Sequence, residues 1–465
     1  MEEFLVSAAN FIWGTPLLIL LLGGGIYFTV YSRLLPFKYF IHAINILRGK
    51  YDESEGAGEI SHFAALSSHL AATVGMGNIS GVAVAIATGG PGAIFWMWVS
   101  AIFGITTKFF TCTLALMYRG KDSEGNIQGG PMYFITEGMG KKWKPLAVFF
   151  CVAGFFAATP VFQTNQLVQI TQDILLTPNS WGFSEGTQIV LPNGDILDHV
   201  FLTKISIGLI IAVFTGIVIF GGIKRIGSVA GKLVPAMVLI YIGSIFIILL
   251  LNSSQIIPSF LLIIEDAFTA NSVLGGAVGA IIITGARRAA FSNEAGIGTA
   301  PMMHGAAKTT EPVREGLVAM LGPFIDTIVV CTMTGLAILI TGVWQSEELN
   351  GISMTVQAFE QSMPIFGPYI LAVCVLIFAF TTILGSSYYG KKCLSFLIGA
   401  KYGEYFNYWY VAIILVGSVA SLNAVVSLID FTYALMAFPT MIAAVYLSPK
   451  VLKEAKRYFD SLNQP

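Results

Sequence analysis

The sequence is short of charge. Asp, Glu, Lys and Arg make up 11% of 465 residues, while 55% are hydrophobic. A soluble globular chain carries roughly 25% charged residues. This chain lacks the charge to cover a water-facing surface of its size, and a mean hydropathy of +0.77 marks a polytopic membrane protein with one transmembrane domain. A net charge of −1 argues against a nucleic-acid partner. Cysteine is scarce: Cys112, Cys151, Cys331, Cys374 and Cys393 stand apart with no CxxC spacing. That argues against a disulfide framework or a zinc site and leaves them as small core residues. With five histidines and no His/Glu pair at i, i+4 on a helix, zinc chemistry has no footing. No convincing Ser–His–Asp set is visible, so the reading is not an enzyme, and no cofactor is expected. A basic leader is also missing. The chain begins Met1-Glu2-Glu3, so the apolar run from Phe11 to Val30 reads as a mature span rather than a signal peptide.

What is present is a series of apolar runs. They predict an all-α protein with eleven spans, near 11–32, 62–89, 91–118, 145–176, 203–221, 228–251, 272–302, 315–343, 367–389, 406–421 and 424–447. Lys and Arg set the orientation. With the N-terminus outside, every one of the 25 except Lys108 and Lys204 falls in an inside loop or the tail, Arg287 and Arg288 included. The outside loops at 178–200 and 344–364 are acidic, without Lys or Arg. The C-terminus, with a tail at 451–465, is then cytoplasmic. Setting the first span aside, the remaining ten divide into halves at 62–251 and 272–447 within one domain, 1–450. An odd number of spans in each half makes the second run opposite to the first.

Each half opens with an interrupted span. In the first, "TVGMGN" puts Gly75, Gly77 and Asn78 mid-span, where glycine weakens a helix by about 1 kcal/mol. In the second, the apolar half Val273–Thr284 stops at Gly285 and Arg287-Arg288, well short of the ~20 residues a crossing needs. Paired interruptions at matching positions point to a transporter's binding site. A break offers N–H groups and a positive dipole end to an anion, and carbonyls to a cation. An amino acid carboxylate with a sodium ion beside it fits that arrangement. Glycines 75 and 77 permit close approach and unusual φ. Asn78 either caps the second half-helix or turns its oxygen to a cation. For "TVGMGN" alone, helix packing and ligand binding weigh equally; the second break tips the balance to binding. The Gly75-x-Gly77 spacing is no dinucleotide fingerprint, since it lacks the βαβ context and acidic residue.

Thr381, Thr382, Ser386 and Ser387 stack in one span. Their hydroxyls either bond the preceding turn or supply hard oxygen ligands. Gln163 and Asn165 lie deep in 145–176, fit for substrate or for an interhelical bond. Lys108 and Asp326, the charges nearest span centres, read as structural groups paired to each other or to backbone. In "FSNEAGIGTAPMMHGAA", Asn293 and Glu294 are candidates for a turn cap and an inner gate, and His304 reads as an interfacial side chain.

"TVGMGNISGVAVAIATGGPGAIFWMW" (73–98), "GGPMYFITEG" (129–138), "QTN" (163–165), "FSNEAGIGTAP" (291–301), "DTIVVCTMTGL" (326–336) and "LGSSYYGKKC" (384–393) resemble the alanine or glycine:cation symporter family, from about residue 10 to about 450. The resemblance implies a sodium-coupled, in some members proton-coupled, importer of alanine or glycine in a prokaryotic inner membrane. It implies the leucine-transporter fold, two inverted five-helix repeats, with one added N-terminal helix. It places N–H groups of Met76 and Gly77, next to Gly75, on the substrate carboxylate. Carbonyls of Ala71 and Val74 and hydroxyls of Thr381 and Thr382 would take sodium. Thr73 and Asn78 would lie near the substrate, and Gln163 with the backbone at Thr284-Gly285 would complete the pocket. The sequence departs from the family pattern at Ala289, often Gly, and at Met76, often small and polar.

The resulting expectation is alternating-access symport of small neutral amino acids with sodium. A proton-coupled carrier and an ion channel are the alternatives. An internal inverted repeat favours a carrier over a channel, whose pore several subunits usually form. An intramembrane enzyme lacks a visible metal or nucleophile set. Residue patterns leave the oligomeric state undefined.

Overall fold

The computed structural model describes residues 2–51, 56–176, 182–184, 186–190, 196–268, 277–346 and 348–462. Residues 272–276 of the span expected at 272–302 lie outside the described residues. So do parts of the loop at 178–200, residue 347 of the loop at 344–364, and the last three residues of the expected tail.

Helices follow the apolar runs. The chain opens with α1 (Glu2–Ile12) and α2 (Thr15–Tyr31), bent by 47° at Trp13-Gly14. A second bent pair, α3 (His62–Thr73) and α4 (Met76–Gly89), turns by 41°. Then come α5 (Gly92–Met117), α6 (Lys141–Leu176), α7 (His199–Ile219) and α8 (Gly222–Leu251). They are followed by α9 (Ile256–Phe268), α10 (Ala277–Asn293) and α11 (Thr299–His304). The chain ends with α12 (Pro312–Ile340), α13 (Gly367–Ile398), α14 (Tyr405–Val419) and α15 (Leu422–Leu462).

Among the described residues seven helices are long and apolar enough to cross a membrane, or nine with each bent pair as one span. The protein is therefore a polytopic, mostly helical membrane protein. The α7 residues Leu209, Val213 and Phe214 and the α8 residues Leu239, Phe246 and Leu250 are exposed. An apolar belt of this kind suits contact with lipid. Two short antiparallel hairpins, 120–121 with 127–128 and 188–190 with 196–198, sit in connections and depart from a purely helical chain.

The structure adds two features and corrects one expectation. The helix α9 was unforeseen, because its 13 residues include Glu265 and Asp266 and fall short of a span. It packs on α5, and Asp266 Oδ2 accepts from Gly92 N at 2.7 Å, satisfying a free N–H at the start of α5. α15 runs on to Leu462, with Tyr458 and Phe459 buried and the Phe459 ring stacked 3.6 Å from Tyr39. Finally, α10 is continuous through Gly285, and the chain breaks only after Asn293.

Ser61 starts α3, its Oγ accepting from Ala64 N at 3.2 Å. Just before it, the chain pairs with the segment after α11: Glu59 N donates to Ala306 O at 2.8 Å, and Lys308 N to Ile60 O at 2.7 Å. Arg119 donates to Ala57 O at 2.8 Å, Gly305 O at 3.1 Å and Ala307 O, bolting that junction to the end of α5. The two interrupted stretches are thereby drawn side by side.

Candidate functional site around two helix breaks

The first break lies where expected. Val74 leaves the helix at ψ 92°, and Gly75 is extended at φ −157°. Extended backbone suits any residue, so Gly75 is not required for an unusual φ. It is required for space: a Cβ there would fall 2.1 Å from Thr382 Oγ1. Gly77 likewise has its own place against α10, where a Cβ would lie 3.3 Å from the Phe291 ring.

Asn78 resolves its two alternatives in favour of a cap. Its Oδ1 accepts from Gly75 N at 2.8 Å, while its Nδ2 donates to Asp326 O at 3.0 Å and Asp326 Oδ1 at 2.8 Å. The Gly75 N–H, the i+4 partner that Ala71 O would have in an unbroken helix, is thus turned away from it. Thr73 Oγ1 bonds back to His69 O at 3.0 Å. Met76 is fully buried.

Facing the break is α13. Thr381 Oγ1 donates to Phe378 O at 3.0 Å, the ordinary back-bond. Thr382 Oγ1 is buried against Gly75 and has no hydrogen-bond partner among the described residues. A buried hydroxyl without a partner costs about 1–3 kcal/mol. Beside a helix C-terminus rich in carbonyls, it suits a hard cation that takes oxygen ligands.

The second break runs from Glu294 to Gly298, with Glu294 at φ 55°, Gly296 at 85° and Gly298 at 110°. Asn293 caps it: Oδ1 accepts from Ala295 N at 2.9 Å, and Nδ2 donates to Thr327 Oγ1 at 2.9 Å. Glu294 Oε1 accepts from Tyr433 OH at 2.7 Å. Thr284 and Gly285 lie mid-helix instead. A Cβ on Gly285 would meet Trp96 Cβ at 2.5 Å, so its role is close packing on α5. Arg287 and Arg288, expected at the inside end, are held within the bundle by Asp430, and Arg287 also reaches Asn10.

Asp326 ties the two breaks together. Besides Asn78, it accepts from Ser292 Oγ at 2.7 Å and Thr327 Oγ1 at 2.8 Å. Lys108 goes elsewhere, to His69, so the Lys108–Asp326 contact weighed from sequence is absent. Gln163 Oε1 is unpartnered among the described residues, and Asn165 Nδ2 donates to Ala420 O at 2.7 Å. Gln166, one turn on, was missed; it accepts from Ser80 Oγ of α4 at 2.7 Å. The i, i+3 spacing places Gln163 on that same face. Ser292 and Tyr433 were also missed. Ser292 stood within the quoted 291–307 motif, whereas Tyr433 carried no signal near the motif.

The full chain, residues 1–465, matches the sodium:alanine symporter family. The chain belongs to that family. It is 39% identical over 460 residues to the sodium/alanine symporter AgcS of Methanococcus maripaludis, covering 98% of this chain and 96% of that one. An uncharacterized transporter of Haemophilus influenzae is 40% identical over 469 residues, covering 99% and 97%. The probable sodium/glutamine symporter GlnT of Bacillus subtilis is 35% identical over 458 residues, covering 98% and 90%. Membership makes this a membrane transport protein of the amino-acid symport class.

Proposed function

We propose that this protein imports alanine or glycine together with sodium by alternating access. The observation that carries the reading is the unpartnered, buried Thr382 Oγ1 seated against the break at Gly75. Sodium binds the carbonyls of Ala71 and Val74 and the hydroxyls of Thr381 and Thr382. The Thr381 hydroxyl can donate to Phe378 O and still offer a lone pair. The substrate carboxylate lies on the N–H groups of Met76 and Gly77 at the positive end of α4. Thr73 and Asn78 flank it, and Gln163 Oε1 accepts from the ammonium group. The backbone contact expected from Thr284-Gly285 passes to the second break near Asn293, and Glu294 gates that side. A cation beside a carboxylate makes each ligand's binding favour the other's.

The reading includes the leucine-transporter arrangement: two inverted five-helix repeats after an N-terminal helix, within one domain. The N-terminus faces outside and the C-terminus the cytoplasm of a prokaryotic inner membrane. Both breaks come together, as that arrangement requires, and the Lys/Arg distribution supports the orientation.

Uptake of radiolabelled alanine, glycine and glutamine into proteoliposomes, with and without a sodium gradient, tests this. Glutamine is included because one relative bears its name. Saturable alanine or glycine uptake driven by sodium is expected. Uptake indifferent to sodium would refute the symport reading.

A further inference from the structure

Beneath the first break lies a second polar centre that the transport reading leaves unused. Three of the five histidines in the chain meet there. Glu315, with no exposed surface, offers one carboxylate oxygen to His62 Nδ1 and the other to His304 Nδ1. His304, expected at an interface, is fully buried, and its Nε2 has no partner among the described residues. Its ring centroid lies 5.4 Å from that of His69. His69 in turn takes Lys108 Nζ at Nε2 and contacts Tyr389 OH with Nδ1 at 3.1 Å.

These contacts join five elements, with Tyr389 on α13 the fifth. His62 and His69 belong to α3, Lys108 to α5, His304 to α11 and Glu315 to α12. The other ionisable groups facing them are Cys112 and Arg119 on α5 and at its end, Asp326 on α12, Glu294 at the second break, and Tyr389 on α13.

Charge balance makes the group more than a packing device. Glu315 is buried, its carboxylate bonded to two imidazoles and to no Lys or Arg among the described residues. A buried charge is costly unless paired, and a proton on one of those imidazoles pairs it. An imidazole nitrogen without a partner, in a ring already bonded to a carboxylate, is a ready acceptor for it. Imidazole is also the side chain whose charge changes near neutral pH. The proton's position bears on the first break. His69 is five residues from Val74, roughly 7 Å along the helix, and its carbonyl holds the Thr73 hydroxyl.

We propose that the buried His62–Glu315–His304 group is a proton-binding site whose proton opposes occupation of the cation pocket at Thr382. The first part stands on the cluster alone. The opposition rests on the sodium reading above. Two buried positive charges on the order of 10 Å apart repel enough to weaken each other's binding by about tenfold.

The test uses full-length protein carrying isotope-labelled histidine in lipid bilayers. Imidazole nitrogen shifts report protonation directly, and single His→Gln variants at 42, 62, 69, 199 and 304 assign the five signals. A cluster histidine is expected to change protonation between about pH 5 and 8. Replacing choline chloride with sodium chloride should lower its proton affinity on the order of tenfold. Glu315→Gln should displace the midpoint, and Thr382→Ala should keep the titration but lose the sodium effect. If Glu315→Gln does not fold, His304→Gln supplies the same comparison through the midpoint of His62. Cluster histidines that keep one protonation state throughout overturn the proton site. A midpoint indifferent to sodium, in protein shown to bind radioactive sodium, overturns the opposition. Protein that binds no sodium refutes the symport reading and, with it, the opposition; the titration still decides the proton site.

Discussion

Thr382 Oγ1 occupies space that no side chain at position 75 could share. A Cβ on Gly75 would lie 2.1 Å from that oxygen and 3.3 Å from Thr382 Cβ. The pair locks the unwound end of α3 to α13 through direct contact of backbone and hydroxyl. Replacing Gly75 by Ala should therefore destabilise the protein by about 1–3 kcal/mol, the usual cost of overpacking. Adding Thr382→Ala should recover part of that loss, because the nearest remaining atom then stands at 3.3 Å. A thermal-unfolding double-mutant cycle measures this, and strictly additive losses would contradict the contact.

Thr382→Ala alone should leave a folded protein, since its hydroxyl has no protein partner to lose. The sodium concentration for half-maximal alanine uptake should rise roughly tenfold, the scale of one oxygen contact to a charge at about 1.5–3 kcal/mol. Thr382→Ser should stay near the parent value. An unchanged sodium requirement in the alanine variant removes this residue from the cation site.

Asp326→Asn should be more damaging than its small change in shape suggests. Asn78 Nδ2, Ser292 Oγ and Thr327 Oγ1 all donate to that carboxylate. An amide there turns one acceptor into a donor and strands a buried group at about 1–3 kcal/mol. Lower thermal stability together with lost uptake is expected, whereas parent-like behaviour in both would mean the breaks do not depend on this bridge.

The docked tail should respond to acid. His42 Nε2 lies 2.8 Å from Tyr458 OH. Burial above all, then Arg314 and Lys50, hold its imidazole below the usual 6.5. The folded state thus prefers neutral His42. Its contribution is fully present above pH 6.5 and is lost as pH falls through the folded value. Hydrogen exchange across 455–462, corrected for intrinsic rates, should speed up in acid in the parent and lose that dependence in His42→Gln. Equal acid sensitivity in both proteins would place the trigger elsewhere.

The first break was legible because Gly75, Gly77 and Asn78 are local signals, and each acts locally: two by close approach, one as a cap. The second was misplaced because Gly285 and Arg287-Arg288 look like a helix end. Their polarity is answered by Asp430, 143 residues away from Arg287, which lets α10 continue. Sequence spacing carries no record of such a partner. The same holds for His304, whose burial follows from Glu315 and the packing of α11, and for Gln166, outranked by the motif residue Gln163. Thr381 and Thr382 were legible as a pair. That only Thr382 lacks a partner depends on how α13 is rotated against the break.

The most direct test of the account is equilibrium binding of alanine to the purified protein in sodium chloride and in choline chloride. The proposed site puts sodium and substrate side by side at the Gly75 break, so sodium should tighten alanine binding about tenfold or more, within the usual range of coupling energies. Thr382→Ala should reduce that gain. Measurable alanine binding of equal affinity in the two salts would contradict a shared site.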